Sequence, residues 1–265
     1  MKRIPIYFRL LLLTAIVFQV TACKKIEQAI LKDPCSDIKF CNIQSYTYPG
    51  SAPYFDDDNT ATFTYDGLGN PLAVNNTRVS TGAPNLVFKY DASHRLTEFQ
   101  RPYSNGFFEQ WFKYVYDASG RIIADTSYLF GAITPSWPPT GSQQRRYTTY
   151  TYDNTCRVLK TTTIGIGGPE DGFPPNVITY AYDASGNLIR PGITYDNKVN
   201  MHRTNKIFMF IDRDFSMNNP YTATSYNGYS LPQILPAPAS GAAPVYFLAR
   251  AIDRATIVYQ CDAQQ

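Results

Sequence analysis

The sequence predicts a mainly all-β fold, a twisted antiparallel meander of hairpins with one C-terminal helix packed on or at the end of the sheet. Three observations predict it. A short wording recurs five times: FTYDGLGNPL from Phe63, FKYDASHRL from Phe88, YVYDASGRII from Tyr114, YTYDNTCRVL from Tyr150 and YAYDASGNLI from Tyr180. The chain holds 21 Tyr and 16 Phe but is only 17% charged, a balance that favours strands and turns over helices. The segment from His202 sets Ile207, Phe210 and Ile211 three and four residues apart, the spacing of one helix face.

Taken in chain order, residues 1–22 read as a secretory signal. Lys2, Arg3 and Arg9 precede the apolar run LLLLTAIVF, and the small-residue site Val20-Thr21-Ala22 ends it. The apolar run is shorter than the roughly 20 residues a spanning helix needs. A cysteine directly after such a site resembles the lipobox of bacterial lipoproteins. That resemblance implies that Cys23 is lipidated, becomes the first mature residue and makes the membrane a partner through the N-terminal lipid. An ordinary cleaved signal and an uncleaved membrane helix are the alternatives. Three of the 24 basic residues lie in this stretch and none of the 21 acidic ones, so the remainder has no basic excess. Nucleic acid, which is bound by releasing counterions from phosphate, is not an expected partner.

Four cysteines remain, Cys35, Cys41, Cys156 and Cys261. An even number in an oxidising compartment suggests disulfides, and the expected pairs are Cys35 with Cys41 and Cys156 with Cys261. Zinc is disfavoured because there is no C-x2-C pair and His94 and His202 are far away in sequence.

Residues 23–59 form a tether and lead-in. Residues 60–200 form the hairpin array, aligned on Tyr65-Asp66, Tyr90-Asp91, Tyr116-Asp117, Tyr152-Asp153 and Tyr182-Asp183, with a degenerate sixth copy at Tyr195-Asp196. Two residues before each of the five repeat tyrosines stands another aromatic, Phe63, Phe88, Tyr114, Tyr150 or Tyr180. That separation puts both rings on one strand face. The following Asp-x-x-Gly predicts a type I turn completed by a left-handed residue, at Gly69, Gly120 and Gly186. His94 and Cys156 take that place in the other two copies, His94 as a tolerated turn residue. Counting back from the turn pairs Asp91 with Arg95, Asp117 with Arg121 and Asp153 with Arg157 on one face. Tyr90 then meets Leu96, Tyr116 meets Ile122, Tyr152 meets Val158 and Tyr182 meets Leu188 on the other. Such pairs contribute about 0.2–1 kcal/mol each.

The pattern aromatic-x-Tyr-Asp-x-x-Gly-Arg/Asn-Leu resembles the YD repeat of Rhs proteins and teneurins, and with the lipobox it resembles YD-repeat lipoproteins of Bacteroidota. The resemblance covers about residues 60–200 and extends to ITYDNKVN from Ile193 and the Ser-Met-Asn-Asn-Pro run from Ser216. It implies a strand-rich spiral, but too few copies are present to close a shell around a toxin. Residues 201–265 hold the helix and closing strands of the same domain.

For chemistry, the repeated aspartates occupy one turn position and are therefore structural, and no nucleophile, P-loop or zincin motif occurs. No catalytic residues, metal or cofactor are expected. Asp56, Asp57 and Asp58 read as a solvated acidic loop rather than a calcium site. Trp137, between return-loop prolines, is the candidate ligand contact; Trp111 reads as packing. The expectation is a structural or interaction lipoprotein of the outer membrane, on its periplasmic face, with an envelope protein as partner. Glycan binding through loop aromatics is the alternative.

Overall fold

The computed structural model describes residues 41–49, 58–135, 137–142, 144–168, 170–237 and 245–261. The signal, Cys23, Cys35, Asp56 and Asp57 lie outside these residues. Ten strands run as an antiparallel meander: β1 (Cys41–Tyr48), β2 (Asn59–Tyr65), β3 (Pro71–Asn76), β4 (Leu86–Tyr90), β5 (Leu96–Pro102), β6 (Phe107–Tyr116), β7 (Ile122–Ala132), β8 (Gln144–Tyr152), β9 (Val158–Gly165) and β10 (Asn176–Thr179). Each is hydrogen-bonded to its sequence neighbours, as local hairpin turns dictate. Return loops join β7 to β8 and β9 to β10.

The C-terminal part adds a 3-10 turn (Met201–Thr204), α1 (Lys206–Asp212), β11 (Ser225–Tyr226), β12 (Pro232–Ile234), β13 (Tyr246–Phe247), β14 (Arg250–Ala251) and β15 (Thr256–Cys261). The last strand returns to the start: β15 pairs with β1, and β12 and β11 follow, so that thirteen strands form one sheet. β13 and β14 form a separate hairpin.

The helix is shorter than its apolar spacing suggests. Asn205 interrupts it with extended backbone (φ −154°, ψ 133°) and its side chain accepts the N–H of Ile207. An asparagine that bonds its own downstream amide is a better cap than a helix interior. Beyond the cap, Ile207, Phe208, Met209 and Phe210 are all buried, so α1 lies inside rather than on a surface. Phe208 meets the rings of Phe63 and Phe247, and Phe210 meets Tyr114 and Tyr150. Phe63, Tyr114 and Tyr150 are aromatics placed two residues before the repeat tyrosines, so the repeat builds part of the floor on which the helix sits. Each fully buried ring contributes about 1.5–3 kcal/mol relative to exposure.

The cysteine pairing corrects the expectation. Cys41 is bonded to Cys261, its direct partner across β1 and β15, because the closing strand returns to the first rather than to the fourth hairpin. Cys156 is itself disulfide-bonded, but not to Cys261.

Candidate functional site

Each hairpin tip is organised by its aspartate. In the third, the N–H of Asp117 donates to the Arg121 carbonyl and that of Gly120 to the Asp117 carbonyl. One carboxylate oxygen of Asp117 accepts the N–H groups of Ser119 and Arg121, both at 2.9 Å, while the other accepts the Arg121 guanidinium. Asp66, Asp91, Asp153 and Asp183 each accept the same two amides of their own tips. The backbone donations of Arg95 and Arg121 hold Asp91 and Asp117 below the usual carboxylate range. Gly69, Gly120 and Gly186 take the left-handed conformation, as do His94 and Cys156.

The repeat tyrosines join one hairpin to the previous one. The hydroxyl of Tyr90 donates to the carbonyl of Pro71 at 2.7 Å, Tyr116 to Leu96 at 2.8 Å, Tyr152 to Ile122 at 2.6 Å and Tyr182 to Val158 at 3.3 Å. Every acceptor is the residue that pairs with the preceding repeat tyrosine. Tyr65 begins the series on Ile43, and Tyr195 ends it on Leu188. Burial pushes the five repeat phenols above the ordinary tyrosine range, keeping them protonated as donors. The arginines also reach from one hairpin to the next. Arg95 lies over the ring of Tyr116 (4.9 Å), Arg121 over Tyr152 (5.7 Å) and Arg157 over Tyr182 (4.2 Å). Each arginine therefore bonds its own aspartate and stacks on the next hairpin, an arrangement in which cation–π attraction adds to packing.

Two features escaped sequence reasoning. The first is a tip at Tyr226-Asn227-Gly228-Tyr229-Ser230-Leu231, where Asn227 replaces the aspartate and accepts the N–H groups of Tyr229 and Leu231. Admitting asparagine at the aspartate position would have found it. Tyr195-Asp196, by contrast, keeps the tyrosine bond but not the tip, since Asp196 accepts from Lys198 and from the distant Asn219. The second is a bulge in each of the first four hairpins. Tyr65 pairs with Pro71 but Thr64 with Ala73, leaving Leu72 over; Thr97, Ile123 and Leu159 are left over in the same way. A bulge re-aims a side chain. Here it exposes Leu72 (39%), Ile123 (39%) and Leu159 (38%), and Ile189 (60%) holds the equivalent place after Leu188. Hairpins two strand spacings apart, about 10 Å, set these positions in a row, in which Thr97 stands between Leu72 and Ile123. Its signal in sequence is a second aliphatic residue directly after the one that faces the core.

Trp137 is not an open platform. Its ring is edge-on to Trp111 (5.4 Å) and Tyr128 (4.9 Å), with the Lys113 ammonium 5.5 Å from its centre. Trp111 is buried and its indole N–H donates to Glu98, which extends its packing role. Tyr103 donates to Glu109. Among the described residues, no three His, Cys, Asp or Glu side chains gather as a metal site would require.

Two buried polar clusters flank α1. Asp125 accepts the Tyr150 hydroxyl, which in turn accepts the guanidinium of Arg213; burial pushes the Asp125 carboxyl up to about 6. His202 bonds Asn200 through Nδ1 (2.9 Å) and Asp212 through Nε2 (2.8 Å). Asp212 also accepts the N–H groups of Leu248 and Ala249, so this cluster ties the tip of the β13–β14 hairpin to the helix. Both clusters join elements and neither opens onto a described cavity.

No protein-family model matches the chain, and no curated protein matches it either. Solved structures show a distant likeness. A TcdB2–TccC3–Cdc42 complex is 13% identical over 50% of this chain, with a TM-score of 0.29, and a TcdB2–TccC3 structure is 14% identical over 50%, also at 0.29. TcdB2–TccC3 without its hypervariable C-terminal region is 13% identical over 65%, at 0.29. This chain spans less than a tenth of each of those chains, 7%, 7% and 9%.

Proposed function

We propose that the protein is a lipid-anchored, non-catalytic interaction module of the cell envelope, held by Cys23 at the outer membrane on its periplasmic side, and that it binds a protein partner. The observation that carries the reading is the stripe of Leu72, Ile123, Leu159 and Ile189. The repeat's polar groups are engaged within and between hairpins, which leaves this aliphatic row as the recurring surface feature. Exposed apolar side chains that recur along one face mark an interaction surface more readily than scattered ones do. Glycan binding through Trp137 is favoured less, because its neighbours already occupy the ring.

The test is cross-linking of a tagged copy in intact and in lysed cells, comparing the native chain with one carrying Leu72→Ser, Ile123→Ser, Leu159→Ser and Ile189→Ser. The expected result is a protein adduct that forms only where the reagent reaches the periplasm and is lost in the variant, while thermal unfolding is unchanged. An adduct that persists in the variant would remove the stripe from the proposal. Adducts formed by an impermeant reagent on intact cells would move the protein to the cell surface.

A further inference from the structure

We propose that the protein self-associates through β10, the edge strand of the sheet, which pairs antiparallel with β10 of a second copy about a twofold axis at Ile178. This rests on neither the aliphatic stripe nor the lipid anchor.

The first observation is an open edge. β10 ends the thirteen-stranded sheet and has β9 as its neighbour. Tyr180 donates its N–H to the Leu159 carbonyl. Backbone groups alternate sides along an antiparallel strand, so those of Ile178 and Asn176 also face β9. Those of Val177 and Thr179 point away, where no strand lies among the described residues. In the first four hairpins the strand leading into the turn is paired by the strand that returns from it. In the fifth, that pairing stops just past the turn. Tyr182 bridges Leu188, the Ala181 carbonyl accepts the N–H of Ile189, and Pro191 follows, with no N–H to donate. β10 is the stretch that a longer return would have covered.

The second is that the edge lacks the devices that keep strands apart. Edge strands are blunted by lysine, proline or inward charges. Asn176–Thr179 carries none of these and all four residues are exposed, Val177 at 53% and Ile178 at 45%. The opposite edge, β11, is only two residues long.

The third selects the occupant. The free run is closed at both ends, since Pro175 offers no N–H on this side and the Ala181 carbonyl is already taken. A longer strand from another protein would leave backbone groups unmet beyond it. A second β10 matches the run. Val177 opposite Thr179 of the other copy exchanges both backbone hydrogen bonds, and the twofold repeats the exchange. Ile178 then stands opposite itself in a non-hydrogen-bonded pair, with Cα atoms about 4.5 Å apart. An aliphatic pair on the axis and an uncharged strand leave nothing that repels a second copy.

The experiment is cysteine cross-linking of the full chain, in intact cells and in detergent, with the native chain as background. Ile178→Cys is expected to give a reducible dimer under mild oxidation, because the paired Cα distance suits a disulfide. Val177→Cys is the register control. Its counterpart lies on the diagonal, about 7–8 Å away, so it should cross-link several-fold less. In sedimentation velocity the native chain is expected to dimerise as concentration rises. Ile178→Lys sets like charges on the axis, and Thr179→Pro removes an outward N–H without touching the bonds to β9. Both are expected to stay monomeric with the strand signal in circular dichroism intact; if Ile178→Lys does not fold, the cysteine pair decides. Equal cross-linking of the two cysteine variants, a native chain that stays monomeric, or a dimer that persists in Ile178→Lys would each overturn the proposal. A monomeric chain that still forms an adduct through the stripe would overturn it and leave the stripe reading standing.

Discussion

Asp125 sits on β7 between Tyr114 and Thr148 of the neighbouring strands, and its burial makes it sensitive to pH. Its carboxyl is raised from 3.8 to about 6 by desolvation, against the partial opposing effects of Tyr150 and Arg213. Between those values the folded chain keeps a proton that the unfolded chain releases, so stability falls as pH rises through that window. A shift of this size corresponds to about 3 kcal/mol. Asp91, Asp117 and Glu170 are depressed instead. They lose their contribution only as pH falls below the ordinary carboxylate range, so the two windows separate. In urea titrations, the native chain should lose stability from pH 4 to pH 7, and Asp125→Asn should flatten that slope while keeping the Tyr150 bond. Equal slopes in both proteins would show that Asp125 is ionised throughout. The sequence displayed Asp125 as an ordinary strand residue. Its environment comes from Tyr150 and Arg213, 25 and 88 positions away in sequence.

Among the elements, α1 depends on its cap more than on its length. Seven residues form too short a helix to persist by themselves, so burial and the Asn205 cap hold it. Asn205 also donates to the carbonyl of Gly69 at 3.2 Å, fastening the helix start to the first hairpin tip. Asn205→Ala removes the cap and leaves a part-buried carbonyl without its donor, and should cost about 1–2 kcal/mol. The urea midpoint should fall with an unchanged slope; a midpoint within error of the native chain would mean that packing alone positions α1. The hairpins were legible at this scale because each is closed by residues within six positions of one another. Tyr116 opposite Ile122 and Asp117 opposite Arg121 follow from the turn alone. The bulges at Leu72, Thr97, Ile123 and Leu159 were not, because an inserted residue leaves the turn and the pair beside it unchanged.

Across the whole molecule, one contact is far less local than the meander. β1 and β15 are joined by Cys41 and Cys261, 220 residues apart in sequence. Closing so long a loop removes entropy from the unfolded chain, and the cross-link contributes up to about 5 kcal/mol. A Cys41→Ser, Cys261→Ser chain is therefore expected to unfold at lower denaturant. It should also lose amide protection first in β15 and β12, with β5 to β7 protected. Uniform loss of protection across the sheet would show instead that the array has no stability of its own. Local meander contacts fold faster than distant ones, which makes the return of β15 the expected late step.

The sequence by itself determined the strand class, the five hairpin tips, their cross-strand partners and the presence of one helix. All of these follow from side chains that act over a few residues, and repetition made the pattern visible. Only the tertiary structure decided which cysteines meet, where the arginines and tyrosines of successive hairpins touch, and that α1 lies buried. It also decided which aliphatic residues face out and that Trp137 is packed. These outcomes depend on contacts between elements far apart in sequence and on the strand that returns to β1, and neither is encoded in a local pattern.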